Sequence, residues 1–435
     1  MKQDVVAGRR GPVSPRADRR RGFWNRERET MSGAARARDQ ARWLGRLLER
    51  AWARAPGVRR RLERAGLKPG DIRGPGDLAR LPVVKKSEMP DLQKADPPFG
   101  GFCTEPLSRI RKVFVSPGPI LEPMGPELSA WHAETGLYAG GFRPGDVVIN
   151  TFLYHLVPAA HELDEALNVV GCAVVPTGVG NTDTQVMVAR AVGATGYVGT
   201  PSFLMTVLQR AVEMGVRLGL EVAQVGAEPF PESLRERFEL EFGIMARQGF
   251  GTADLGMLAY ECPERSGMHL VDDAVTQVCD PQTGAPLPAG QIGEIVATVN
   301  NATYPMIRFG TGDLTAITED PCPCGRTAPR MLGWRGRADE VTKVRGMFIH
   351  PRQADEIVAR VGGVERYQVV VGREGHTDTL TLRVQPAAGA DGGALRAPLE
   401  AAIRDVMKLR GVVDVVGAGT ILDGAKKIAD ARTWD

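Results

Sequence analysis

Three thiols and one imidazole stand where they could share a metal ion. Cys262 and His269 are separated by six residues, and Cys322-Pro323-Cys324 follows later in the chain. Thiolate sulfur and imidazole nitrogen are the ligands that zinc takes tetrahedrally, and four protein ligands leave no open position, so such an ion would be structural. The spacing is not that of a standard finger, and ordinary thiols in a reducing cell are the competing reading. Six cysteines in 435 residues form no disulfide framework.

The elements around these residues follow from periodicity. Trp43, Leu44, Leu47, Leu48 and Trp52 fall at helical spacing over residues 36–55, before Pro56 and Gly57 interrupt the pattern. Strand-like apolar runs at 147–152, 173–176, 197–200 and 222–225 alternate with helical segments at 184–192 and 201–214, which argues an α/β domain with largely parallel strands. A strand-rich stretch covers 269–317. A boundary falls near 337–339. Beyond it the pattern is strand (341–349), helix (351–361), two strands (367–371 and 379–384), helix (393–409) and strand (411–416), a compact α+β module.

With 43% hydrophobic and 25% charged residues, the composition is that of a globular protein with ample core. No apolar run is long enough to cross a membrane, so no membrane partner is expected. The formal charge of +3 sits at one end: residues 1–30 carry nine Lys or Arg against four Asp or Glu, leaving 46 basic and 48 acidic groups elsewhere. Nucleic acid is therefore not an expected partner. The Arg-rich opening lacks apolar periodicity and is broken by Gly8, Gly11, Pro12 and Pro15, which predicts a disordered tail over residues 1–30.

Several segments, in one order from about residue 81 to residue 432, resemble the phenylacetate-CoA ligase family of adenylate-forming enzymes. Gly226-Ala227-Glu228-Pro229 is similar to the family's adenine-binding turn, where glycine permits close approach to a flat base. Phe250-Gly251-Thr252-Ala253-Asp254 stands for Tyr-Gly-x-x-Glu. The resemblance implies that Phe250 packs on adenine, Thr252 touches the α-phosphate and Asp254 holds Mg²⁺, a cation that prefers carboxylate and phosphate oxygens. Arg308-Phe309-Gly310-Thr311-Gly312-Asp313-Leu314 matches Arg-Tyr-x-Thr-x-Asp-Leu, which makes Asp313 the acceptor for the ribose hydroxyls. Gly336-Arg337-Ala338-Asp339 resembles the family hinge, with Arg337 toward the nucleotide and Asp339 as the pivot, and Gly346 would line the CoA channel. The tail Ala425-Lys426-Lys427-Ile428-Ala429-Asp430-Ala431-Arg432 holds the adenylating lysine, Lys426 by preference over Lys427. Some members of the family carry metal near the Cys262, His269, Cys322 and Cys324 positions.

One segment departs from the family. The phosphate loop Ser-Ser-Gly-Thr-Thr-Gly-Lys-Pro is replaced by Val115-Ser116-Pro117-Gly118-Pro119-Ile120-Leu121-Glu122-Pro123, which has lost both threonines and the lysine and gained a carboxylate. Weakened triphosphate binding is the expectation, since prolines remove amide donors and Glu122 adds negative charge. The acid pocket is expected from 150–161, 177–181 and 200–203, with Tyr154, His155 and His161 in place of a Gly-rich stretch.

The resemblance implies an α/β large multi-subdomain N-terminal adenylate-forming domain (31–337) and a small, mobile α+β C-terminal domain (338–435). It implies an AMP-forming ligase joining a small carboxylic acid, aryl or arylacetic, to coenzyme A, using ATP, Mg²⁺ and structural Zn²⁺ in the cytoplasm, with homodimerisation left open. The alternatives are a nucleotide- or acyl-CoA-binding protein that has lost adenylation, and an enzyme that delivers the acyl group to a carrier protein or an amine.

Overall fold

The computed structural model describes residues 18–116, 118–338, 342–345, 347–349, 351–375 and 377–433. A nine-stranded sheet forms its centre. Five neighbouring strands, Ala173–Pro176, Val147–Asn150, Gly196–Gly199, Val222–Val225 and Met245–Thr252, run parallel in that spatial order. Gly196–Gly199 and Val222–Val225, within this order, are buried on both faces, which explains why they are short runs without alternation. Gly256–Glu261, Met268–Leu270, Arg330–Met331 and Ile317–Thr318 extend the sheet antiparallel.

Local signals set the ends of the crossover helices. Ala159–Val170 stops at Gly171, whose φ of 95° is left-handed and costs glycine little. Pro201–Glu213 starts with proline in its first turn, and the Thr200 hydroxyl accepts from the Phe203 amide. The chain leaves Val147–Asn150 for Ala173–Pro176 on one side and returns to Gly196–Gly199 on the other. This reversal opens a crevice at the carboxyl ends of the strands, the usual place for a ligand in an open α/β sheet.

A second sheet orders Val84–Lys85, Phe309–Thr315, Gly293–Val299 and Ala274–Cys279. Beside these lies the hairpin of Lys112–Ser116 and Ile120–Met124. The apolar side chains from Val344 to Ile428 pack into a core of their own, under a four-stranded sheet ordered Val412–Val415, Thr377–Pro386, Val364–Glu374 and Ile428–Asp430. Two features there differ from the sequence reading. The single strand expected over 341–349 is a hairpin, Thr342–Val344 with Met347–Ile349, because Arg345 takes a left-handed φ of 47° and turns the chain. The three-residue strand Ile428–Asp430, too short to show a period, adds a parallel edge.

The expected disordered tail is the larger correction. Residues 1–17 lie outside the described residues, but 18–30 pack against the large sheet. Arg19 forms a fork with Asp146 at 2.7 and 2.8 Å and also donates to Glu221 at 3.0 Å. Arg28 does the same to Asp273. Glu29, in the short helix Arg26–Glu29, accepts from Arg326 Nε at 2.7 Å, and the two side chains are 1% and 3% exposed. The Phe23 ring lies under the same guanidinium. Arg19 and Arg28, part of what reads as a solvated basic run, have specific carboxylate partners more than a hundred residues away.

Removing one partner of a buried pair leaves the other charge uncompensated, typically at about 3–5 kcal/mol. Glu29→Ala is therefore expected to lower the melting temperature by several degrees, read by circular dichroism or calorimetry, with Arg20→Ala at an exposed position as the control. Equal melting of Glu29→Ala and wild type would mean that this segment adds nothing to stability.

Candidate active site

The carboxyl ends of the parallel strands gather the residues singled out by sequence. Asn150 donates through Nδ2 to the Ala160 carbonyl and to Asp164 Oδ1, at 3.0 and 2.7 Å. Its own carbonyl receives the Thr177 hydroxyl and the Gly178 amide, so the 177–181 loop leans on the end of Val147–Asn150. Gly226 follows Val222–Val225, and its amide donates to the Gly199 carbonyl. A Cβ on Gly226 would stand 2.9 Å from the Gly249 carbonyl oxygen, so only glycine fits between the neighbouring strand ends. Ala227 is held at a φ of 66°, and Glu228 accepts the Ser202 hydroxyl at 2.6 Å. Phe250 and Gly251 sit at a register shift against Gly256–Glu261 that turns the end of the strand. Thr252 Oγ1 accepts from the Leu255 amide, and Asp254 is buried just beyond it.

Asp254 does not stand alone. Lys86 donates to its Oδ2 at 2.5 Å, with the two side chains 14% and 1% exposed. Burial would push the Lys86 ammonium down, but the charges of Asp254 and Glu122 outweigh it and hold the lysine above its usual range. Glu122 lies opposite Phe114 in the hairpin and accepts the Ser116 hydroxyl. Burial and then the neighbouring Asp254 carboxylate push the Glu122 carboxyl well above the usual carboxylate range, against Lys86 and Ser116. Gln93 fixes this hairpin, pairing with the Leu121 amide and carbonyl at 2.8 and 2.7 Å and with the Tyr304 hydroxyl at 3.2 Å.

Asp313, near the end of Phe309–Thr315, receives Trp334 Nε1 at 2.9 Å and Arg337 Nη1 at 3.2 Å, both on Oδ1. The backbones of Asp313 and Arg337 also form a β-bridge. The Arg337 charge opposes that of Lys86, a smaller effect than those of Asp254 and Glu122. Arg308, from the same motif, is elsewhere. It is 2% exposed and donates to the carbonyls of Leu78, Ala79, Leu81 and Gly284, a staple for the connecting loops.

In the pocket region, Tyr154 donates to Asp164 at 2.8 Å, and burial and then that carboxylate push the phenol far up. The His161 ring bonds the Tyr154 carbonyl and Lys112 Nζ, both at 3.0 Å, so it is a satisfied structural group. His155 is exposed. Of the tail lysines, Lys427 pairs with Asp355 at 2.7 Å, whereas Lys426 is exposed just before the edge strand. Asp339 and Gly346 lie outside the described residues.

Cys262, His269, Cys322 and Cys324 come together with their ligand atoms all within 4.8 Å of one another. Cys262 Sγ is 3.7 Å from Cys322 Sγ, and Cys324 Sγ is 3.4 Å from His269 Nε2. Zinc bond lengths give tetrahedral edges of about 3.8 Å between sulfurs and about 3.5 Å between sulfur and nitrogen, so the residues fit that ion. His269 Nδ1 bonds the Ala328 carbonyl at 3.1 Å, which leaves Nε2 for the cluster. The hydrogen bond with Cys262, and then His269, bring the Cys324 thiol down to about 3.

Sequence reasoning missed Lys86, Trp334 and the inward role of Glu122. A lysine after a short extended piece reads as surface by default, and Glu122 reads only as unwanted charge near phosphate. Their partners are distant in the chain, so no local spacing marks them.

The family model for AMP-binding enzymes matches residues 131–303, and that for the AMP-binding enzyme C-terminal domain matches residues 346–432. A phenylacetate-coenzyme A ligase of Thermus thermophilus is 33% identical over 358 residues, 79% of each chain. One of Aromatoleum evansii is 29% identical over 351 residues, covering 77% of this chain and 78% of the relative. The crystal structure of 2-hydroxyisobutyryl-CoA ligase with 2-HIB-AMP and CoA in the thioesterification state aligns at a TM-score of 0.84 and 29% identity, over 97% of this chain and 94% of that one. The same ligase in the postadenylation state, with R3-HIB-AMP, aligns at 0.70 over 96% and 94%. At equal identity, the difference lies in conformation, and this chain is closer to the thioesterification state.

Proposed function

The chain belongs to the phenylacetate-CoA ligase family of AMP-binding enzymes and is an AMP-forming acid–CoA ligase, and from that premise we propose that it activates a small aryl or arylacetic acid. The carrying observation is the Asp313 carboxylate, pinned by Trp334 and Arg337, together with the buried Asp254 just beyond the strand Met245–Thr252.

In the first half-reaction the acid's carboxylate attacks the α-phosphate of ATP, giving acyl-adenylate and pyrophosphate. The turn Gly226-Ala227-Glu228-Pro229 and the Phe250 ring bracket adenine, Asp313 accepts the ribose hydroxyls, and Thr252 donates to the α-phosphate. Asp254 would hold Mg²⁺ through Oδ1, which has no hydrogen-bond partner among the described residues. When bound, that cation neutralises phosphate charge. Lys426 bridges the carboxylate and α-phosphate as negative charge develops, the moment at which one preorganised cation counts most. The small unit then turns about Asp339, Lys426 leaves, and the CoA thiol enters past Gly346 and displaces AMP. Cys262, His269, Cys322 and Cys324 would hold zinc that closes the strand-rich part of the large unit without entering the chemistry.

The short hairpin at 112–124 favours a second reading, a protein that binds adenylate or acyl-CoA without adenylating. AMP and thioester production with a panel of aryl and short acyl acids separates the two. The ligase reading expects AMP release that requires both an acid and CoA; binding without turnover of any acid would favour the second.

Two sets of variants test the assignments. Asp313→Ala is expected to abolish AMP binding by calorimetry. Lys426→Ala is expected to slow adenylate formation by about 10²-fold or more while sparing thioester formation from pre-made acyl-adenylate, with Lys427→Ala near wild type. Equal adenylation rates in both lysine variants and wild type would remove Lys426 from the mechanism. For the metal, elemental analysis is expected to find about one zinc per chain, and Cys324→Ser to lose it together with stability, since binding free energy is folding free energy. Metal-free wild type of full stability would contradict it.

A further inference from the structure

The hairpin that lacks phosphate-binding hydroxyls and lysine carries Glu122, a buried carboxylate that shares the Lys86 charge with Asp254. The two side chains belong to residues only 4% and 6% exposed. Each carboxylate has one oxygen engaged, Glu122 Oε1 by the Ser116 hydroxyl and Asp254 Oδ2 by Lys86. Each has its other oxygen, Glu122 Oε2 and Asp254 Oδ1, buried with no hydrogen-bond partner among the described residues. Leaving a buried carboxylate oxygen unsatisfied is costly, and leaving two of them side by side compounds this with repulsion. With both carboxylates ionised, the single Lys86 charge leaves the trio at net −1. Ser116 and Lys86 each hold one oxygen of a carboxylate, which leaves the other oxygen of each for a cation. Adjacent oxygen ligands of an octahedral cation with bonds of about 2.1 Å stand about 3 Å apart, the separation the two would take around it.

We propose that Glu122 joins Asp254 as a second carboxylate ligand of one divalent cation of the Mg²⁺ class, and that this cation carries the nucleotide's β- and γ-phosphates where the hairpin offers no hydroxyls or lysine for them. The phosphate half of this rests on the ligase reading; the cation half does not. Lys86 keeps its bond to Asp254 Oδ2, and Arg337 keeps its bond to Asp313. A carboxylate that looked hostile to phosphate becomes the group that recruits its counter-ion.

Mn²⁺ titration of the full chain, followed by electron paramagnetic resonance, tests this without turnover. Wild type is expected to take up one Mn²⁺ at this centre, and line broadening in ¹⁷O-water without nucleotide to count at most about four bound waters, two of the roughly six positions being carboxylate. Glu122→Gln is expected to weaken Mn²⁺ by about tenfold or more and to add one water. Asp254→Asn should do likewise, whereas AMP affinity by calorimetry should stay within about twofold in Glu122→Gln. No Mn²⁺ uptake by wild type, five bound waters in wild type, or unchanged affinity and water count in Glu122→Gln would each overturn the proposal and leave Glu122 as a proton-sharing partner of Asp254. The water count on wild type decides the matter even if neither variant folds. Failure of wild type to bind AMP, with Mn²⁺ bound as described, would instead remove the ligase reading and leave the cation site standing.

Discussion

The contact between Arg337 and Asp313 joins everything that must act together. Asp313 closes a strand of the large unit, Arg337 opens the passage to the small one, and their backbones bridge as their side chains pair. A carboxylate held by a cation and the Trp334 indole keeps its rotamer, so ribose would meet a preorganised acceptor. The same arginine opposes the charge of Lys86, so the two buried carboxylate centres are electrostatically coupled. Disturbing this pair would loosen the nucleotide and the passage between units at once.

Conformation follows from the same joint. The chain aligns better with its structural relative in the thioester-forming state than in the postadenylation state. Lys426 stands on an exposed loop, and Lys427 is occupied by Asp355 within the small unit. The buried Lys86 cannot leave, being locked to Asp254, and so suits a charge that both half-reactions tolerate.

What could be read from sequence was what repeats or punctuates. Four of the five parallel strands were legible because each is a short apolar run ended by Gly, Pro or Thr, whereas Met245–Thr252, with Arg247, Gln248 and two glycines, shows no such run. The helix at 201–213 was legible because Thr200-Pro201 announces its start. The four candidate metal ligands were legible as residue types, and the structure brings all four together. Ion pairs between distant segments leave no such trace. Arg19 reaches Asp146 and Glu221, and Glu29 reaches Arg326, so a segment with disordered composition is packed by partners that composition cannot reveal. Glu122 was only half legible for a related reason: its charge was visible, but Ser116, Lys86 and Asp254 around it were not. The turn at Arg345 and the three-residue strand Ile428–Asp430 fall below the length at which periodicity carries information.

The central claim is that this site makes an acyl-adenylate without the usual phosphate loop. ATP–pyrophosphate exchange in the absence of CoA isolates that step from the thioester chemistry. With a panel of aryl, arylacetic and short acyl acids, the account predicts exchange that depends on at least one acid and on a divalent cation. The absence of exchange with every acid, in protein shown by calorimetry to bind AMP, would contradict it.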